Sequence, residues 1–340
     1  MNIRLKDNIS AGTHSIDPGK MRSLQRVVSS DGFFLICALD HLSDFQMLLD
    51  PDPKNVDYAR TVDSKLNLIR AIAGKVSAFL LDPRFALAQV IAARALPASV
   101  GIMSSIEDQG YYGSTFRMTK LRAGWSTRKI KLIGADVCKL LWFFRPDSGT
   151  AEFQRSLLKR LVAECAALSL PLVVEPIWYA FPDEDPTKPE WKARRIEGII
   201  ESAHEANSYG VDMLKIEFPG ETGTDKVESD ALEACQRLNA GINVPWVILS
   251  AGVSYSIFKK QVEISCKGGA SGYLAGRSIW RDAVSTHDLN AKGTAIAEAI
   301  ARLTELNEIT RTHGRPYLPA LKGAALYETL PDLWYEGWHP

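Results

Sequence analysis

Two lysines stand inside apolar runs, Lys139 in DVCKLLWFF and Lys215 in VDMLKIEFP. Desolvating an ammonium is costly, so lysine is seldom buried without a partner. Two cations in one interior disfavour each other's charge, and burial acts in the same direction. Both effects lower a lysine pKa and leave some free amine near neutral pH. A free amine attacks a ketone and forms an iminium ion, an electron sink for breaking the neighbouring C–C bond. The bland alternative is a core salt bridge of Lys215 with Glu175 or Glu217. Spacing alone does not say which lysine reacts.

Three carboxylates follow other apolar runs. Glu175 follows PLVV, Asp40 follows FFLICAL, and Asp82 follows AFLL and precedes Pro83. Glu175 is suited to moving protons between a substrate hydroxyl and water, and a role as charge partner to a lysine is compatible with that. Asp40 is a candidate to hold a lysine ammonium or a substrate hydroxyl. Asp82 is a candidate substrate-binding group, with a turn residue as the alternative. A separate pair of segments suits an anion. Ser250-Ala251-Gly252 follows an apolar run and opens a helical stretch, and Gly276-Arg277-Ser278 follows another apolar run. Backbone N–H groups beside glycines at a helix start cradle a phosphate, and Arg277 adds a bidentate donor.

These groups need a frame. Eight short apolar runs occur, at 33–39, 78–81, 99–103, 137–142, 172–174, 211–216, 246–249 and 272–275. Amphipathic stretches follow them at about 55–73, 84–95, 117–133, 149–168, 188–208, 225–239, 254–267 and 292–307. Apolar strands without clean alternation fit a parallel sheet buried on both faces. Eight strand-then-helix units predict an α/β chain folded as a (β/α)8 TIM barrel, with an open doubly wound sheet as the runner-up. The expected organisation is one domain over 1–340, with an N-terminal extension to about 32 and a C-terminal tail from about 309. Pro18 suits the first position of a helix over 18–30 that closes the barrel bottom. In such a barrel the reactive groups lie at the C-terminal strand ends, and the loops after strands seven and eight form the recurrent phosphate site.

Composition narrows the partners. Lys plus Arg and Asp plus Glu are 40 each, which gives no basic face for nucleic acid or an acidic membrane. No apolar run is long enough to span a bilayer and no signal sequence is apparent, so a cytoplasmic protein is expected. The five cysteines are scattered without a CxxC, as for reduced buried thiols. None of the six histidines forms an HxH, HxxxH or HExxH pair, so no metal or other cofactor is expected. The expected partner is a small sugar phosphate, with self-association open.

With these residues in place the chain resembles the tagatose 1,6-bisphosphate aldolase family, class I aldolases that also include sulfofructose-phosphate aldolases. The resemblance rests on ALD at 38–40, LLDP at 80–83, EDQGY at 107–111, GADVCKLLWFF at 134–144, VEP at 174–176, VDMLKIEFP at 211–219, LSAGVS at 249–254 and LAGRSIW at 274–280. It implies a (β/α)8 barrel, no metal and a Schiff-base lysine. It makes Lys215 the nucleophile, Lys139 the neighbouring lysine, Glu175 the proton-transfer carboxylate and Asp40 an active-site carboxylate. Ser250, Gly252, Gly276 and Arg277 become the phosphate site of dihydroxyacetone phosphate. The implied reaction is reversible cleavage of a phosphorylated ketose into dihydroxyacetone phosphate and an aldehyde. One departure stands out: the family continues ALD with Gln-Arg, whereas this chain has His41-Leu42-Ser43-Asp44. A lost arginine at the mouth implies a changed distal end of the substrate. Arg84, Arg117, Arg122 and Arg145 are candidates for a second anion site, and the sequence does not place them. Two other readings remain open, a sugar-phosphate isomerase using Glu175 as base and a non-catalytic sugar-phosphate sensor.

Overall fold

In the computed structural model, which describes residues 17–108, 117–286, 288–317 and 324–338, the eight strands pair in parallel in chain order and the last closes on the first. They are β1 (Phe34–Leu39), β2 (Ala78–Leu81), β3 (Gly101–Ser105), β4 (Val137–Phe143), β5 (Leu172–Ile177), β6 (Met213–Ile216), β7 (Trp246–Leu249) and β8 (Gly272–Ala275). Ile36 lies beside Ala78 on one edge and Leu274 on the other, so β1 is hydrogen-bonded on both sides. The closed barrel removes the doubly wound alternative.

The helices are α1 (Pro18–Val27), α2 (Ser43–Leu49), α3 (Tyr58–Ile72), α4 (Leu87–Ala92), α5 (Thr127–Leu132), α6 (Ala151–Ala166), α7 (Pro189–Ser208), α8 (Asp225–Ala240), α9 (Tyr255–Lys267), α10 (Arg277–Ser285), α11 (Leu289–His313) and α12 (Ala324–Thr329). The side-chain period of two divides each strand between two cores. Leu35, Cys37 and Leu39 join the outer core under the helices, whereas Phe34, Ile36 and Ala38 join the inner one. The inner core also takes Ala78, Leu80, Met103, Val137, Val173, Met213, Val247 and Leu274.

The floor of the barrel is sealed by α1. Asp17 caps it, accepting from the backbone N–H groups of Gly19 and Lys20, and Pro18 occupies its first turn. Leu24 and Val27 enter the inner core. Lys20 pairs with Asp212 at 2.8 Å and Arg26 with Asp136 at 2.6 Å, so the helix is tied to the residues that enter β6 and β4. Tyr317 adds to this floor by stacking on Phe34.

The stretch 117–133 is not one helix. Gly124 takes φ +73°, Ser126 caps by accepting from Lys129 N, and only Thr127–Leu132 coils. The residues before it are extended, with Leu121 bridged to Glu107. Three helices, α2, α10 and α12, lie outside the expected stretches; α2 and α10 are short and lie beyond the strand ends at the mouth.

Candidate active site

Extending the inner-facing parity by two residues past the apolar core gives the candidate catalytic layer. Ala38 leads to Asp40, Val137 to Lys139, Val173 to Glu175, Met213 to Lys215 and Leu274 to Gly276. All five residues are buried. Lys215 Nζ lies 2.8 Å from Glu175 Oε1. Lys139 Nζ lies 2.7 Å from Glu175 Oε2, 2.5 Å from Glu107 Oε1 and 3.6 Å from Asp40 Oδ2. Glu175 therefore spans the two lysines. The other partner considered for Lys215 is engaged elsewhere: Glu217 accepts from Trp178 N and from Arg195.

The electrostatics differ from the expectation of two mutually depressed lysines. Burial acts to lower the pKa of Lys139, but Glu107, Glu175 and Asp40 outweigh it and raise the pKa well above the ordinary lysine value. Three carboxylates around two amines reverse the simple repulsion argument. Lys139 is thus a fixed cation. Burial pushes Asp40 up, yet Lys139, His41, Lys215 and Lys65 bring it down to about 2. Glu175 is likewise pushed up by burial and brought below its ordinary value by Lys139 and Lys215. His41 is lowered to about 4 by burial, against the pull of Asp40.

The anion cradle is assembled as the loops after β7 and β8 imply. Gly252 takes φ +75°, and a Cβ there would stand 3.4 Å from the Arg277 guanidinium. Gly276 N donates to Ser250 Oγ at 3.4 Å, and Gly276 sits at the start of α10. A Cβ on Gly276 would meet His41 Cε1 at 2.8 Å. Arg277 donates to Asp44 Oδ2 at 2.8 Å, a partner supplied by α2.

Asp82 does not join this set. It is fully buried, accepts from Arg84 N and Phe85 N, and pairs with Lys65 Nζ at 2.5 Å. Its geometry supports the turn alternative. Lys65, from α3, also donates to the carbonyls of Leu39 and His41, which flank Asp40. Among the arginines considered for a second anion, Arg145 is buried and committed to Asp147, Glu184 and the Tyr179 carbonyl. Arg122 pairs with Asp108 at 3.4 Å and Arg84 stacks on Phe85. Arg117 lies over the rings of Phe143 and Tyr179, at the mouth beyond β4 and β5. Part of the EDQGY motif, residues 109–111, lies outside the described residues.

The pattern of apolar runs does not single out Glu107 or Lys65. Glu107 follows β3 by two residues, as Asp40 and Asp82 follow β1 and β2 by one, and that regularity is its signal. Lys65 lies on an outer helix, where a lysine ordinarily faces solvent, so nothing local marks it.

A family model described as "DeoC/LacD family aldolase" matches residues 38–282, which run from the end of β1 through α10. Tagatose 1,6-diphosphate aldolase 1 of Enterococcus faecalis is 28% identical over 315 residues, covering 87% of this chain and 96% of its own. Tagatose 1,6-diphosphate aldolase of Lactococcus lactis is 27% identical over 79% of this chain and 86% of its own. Among solved structures, a Schiff-base-forming fructose-1,6-bisphosphate aldolase superposes with TM-score 0.59 at 21% identity, covering 86% of this chain and 99% of its own. The fructose-bisphosphate aldolase of Plasmodium falciparum superposes with TM-score 0.63 at 14% identity, covering 88% and 96%. The structural likenesses carry the fold, and the family match carries the chemistry class: the chain belongs to the DeoC/LacD aldolase family and is a lyase.

Proposed function

We propose that the protein is a class I, Schiff-base aldolase that reversibly cleaves a phosphorylated ketose into dihydroxyacetone phosphate and an aldehyde. The observation that carries this reading is Lys215 Nζ, buried at the end of β6 and 2.8 Å from a carboxylate that also touches a second, permanently charged lysine. The names of the curated relatives, tagatose 1,6-diphosphate aldolases, support a sugar phosphate as substrate.

Lys215 is the nucleophile. Proton transfer to Glu175 leaves its amine free to attack the keto carbon. In the resulting carbinolamine the hydroxyl takes a proton from Glu175 and departs as water, while the nitrogen lone pair closes the C=N bond. The iminium draws electrons from the adjacent C–C bond as the substrate hydroxyl beyond it gives its proton to the Glu175 carboxylate, and the aldehyde is released; the enamine left on Lys215 takes that proton back at carbon, and water then hydrolyses the C=N bond and frees dihydroxyacetone phosphate. Lys139 remains an ammonium and offsets the negative charge of the surrounding carboxylates. Asp40 is suited to orient a substrate hydroxyl. Ser250, Gly252, Gly276 and Arg277 hold the phosphate through backbone N–H groups and one guanidinium. Asp44 occupies one nitrogen of that guanidinium, Nη1. Asp82 holds Lys65 and takes no direct part.

The test is covalent capture. Borohydride with dihydroxyacetone phosphate is expected to add mass at Lys215, read by peptide mass spectrometry, and Lys215→Ala is expected to lose both adduct and turnover. A fully active Lys215→Ala would end this reading. The site lies in a protein for which no described helix is long and apolar enough to cross a membrane.

A further inference from the structure

We propose that His41 is a further substrate-binding residue of this aldolase: its ring walls the phosphate cradle on the β1 side and takes up a proton when a phosphate dianion arrives. The proposal rests on the reading of Ser250, Gly252, Gly276 and Arg277 as the phosphate site, and goes beyond it by adding a group that charges on binding.

Three observations support it. First, the ring is fixed by its neighbours. Lys65 Nζ donates to the His41 carbonyl at 2.8 Å, and Trp280 meets the imidazole edge-on with ring centroids 5.4 Å apart. Trp280 is itself buried and donates its Nε1–H to the carbonyl of Ala38. Second, the two nitrogens face different parts of the site. Nδ1 stands 3.7 Å from Asp40 Oδ1 and is buried without a hydrogen-bond partner. Such orphans in a native site mark a place where a proton or ligand is handled. The Cε1–Nε2 edge lies against the cradle: a Cβ built on Gly276 would stand 2.8 Å from Cε1 and 3.5 Å from Nε2. Glycine at 276 leaves the space between ring and cradle unfilled. Third, the ring is uncharged although it stands beside a carboxylate. Burial disfavours the imidazolium, Asp40 pulls the other way, and Arg277, Lys215 and Lys65 repel it, which brings the histidine down to about 4.

A neutral imidazole has one N–H, and Asp40 draws it to Nδ1. That leaves a lone pair on Nε2, at the edge facing the cradle. A phosphate dianion offers only acceptors, so lone pair would meet lone pair. A proton taken from solvent onto Nε2 removes the conflict. The ring then has two N–H donors, one toward Asp40 and one toward a phosphate oxygen, and its charge lies between two anions. The dianion also offsets Arg277, whose charge otherwise disfavours the imidazolium. One N–H bond forms and the buffer acid loses the proton; no other bond changes. The charged groups that face the ring are Asp40 after β1, Lys65 on α3 with its partner Asp82, Lys215 on β6 with its partner Glu175, and Arg277 on α10 with its partner Asp44 on α2. Lys139 on β4 acts on it through Asp40.

The experiment is titration calorimetry of wild type, His41→Gln and His41→Asn with glycerol 3-phosphate, in buffers of different ionisation enthalpy. This ligand carries the phosphate but no ketone, so Lys215 forms no imine with it. The phosphate's own ionisation, at about pH 6, is common to all three proteins and cancels in the comparison. At about pH 6.5 wild type is expected to take up roughly half a proton or more per phosphate beyond what His41→Gln takes up. The complex holds a proton that the free protein lacks, so affinity gains as pH falls. The advantage of wild type over His41→Gln is therefore expected to grow from about pH 8 to about pH 6, by up to about tenfold per pH unit. A residue that only shapes the wall would change affinity by the same factor at every pH and leave the uptake equal. Equal uptake with a constant affinity ratio overturns the proposal. Should His41→Gln fail to fold, His41→Asn decides on the same two readings, and absence of uptake by wild type at every pH overturns the proposal without a variant. No binding by wild type overturns the phosphate cradle itself and this role with it, whereas binding with equal uptake overturns the role alone.

Discussion

At the scale of single residues the site is a charge cluster whose members cannot be removed one at a time without cost. Lys139 is 2% exposed and faces three carboxylates. Substituting Lys139→Met leaves Glu107 and Asp40 without their nearest ammonium and Glu175 with one where it had two. Breaking a buried pair in this way costs about 3–5 kcal/mol. Urea denaturation is expected to show a loss of that order, together with a large fall in kcat. His41 gives a pH-linked prediction. Its folded value, about 4, lies below the ordinary 6.5, because burial disfavours its charged form. The unfolded chain therefore binds this proton first, and stability falls as pH drops from 6.5 toward 4. The difference corresponds to at most about 3 kcal/mol, less because a fifth of the side chain is exposed. Melting temperatures of His41→Gln are expected to fall less steeply than wild type over that interval. Asp40 behaves in the opposite sense on charge, contributing stability above its ordinary value of 3.8 that is lost progressively as pH falls from there through about 2.

At the scale of elements the site depends on how β1 ends. Lys65 reaches in from α3 and grips the carbonyls of Leu39 and His41, while Asp82 neutralises it from the end of β2. One buried pair thus fixes the turn that aims Asp40. Asp82→Asn is expected to destabilise the fold by about 2–4 kcal/mol, because it leaves Lys65 charged and unmatched in the core. If Asp82 does not touch substrate, KM in the folded fraction changes little, and a large rise in KM at full stability would restore it to the substrate site. These elements also show what was legible in the sequence. The strands and their polar ends could be read because parallel strands are continuous apolar runs, against which a charged side chain stands out. That logic reached the candidates Asp40, Lys139, Glu175 and Lys215 without a structure. It did not reveal that three carboxylates converge on Lys139, since β1, β3, β4 and β5 meet only when the sheet closes. Nor did it mark the Asp44–Arg277 pair, which joins residues 233 positions apart. The overlong helix at 117–133 failed for a local reason: a basic, amphipathic pattern outweighed Gly124 and the Ser126 cap.

At the scale of the whole molecule the barrel is sealed at one end and polar at the other. Leu24 and Val27 of α1, Phe34 and Tyr317 close the floor. Among the described residues the vessel therefore has one doorway, used by the substrate on entry and by both halves on departure. In the proposed mechanism the half bonded to Lys215 leaves only after its C=N bond is hydrolysed, so the aldehyde exits first, past a companion that is still tethered. In the joining direction the sequence inverts: the ketone must arrive first, and an aldehyde that enters early blocks the way to the amine.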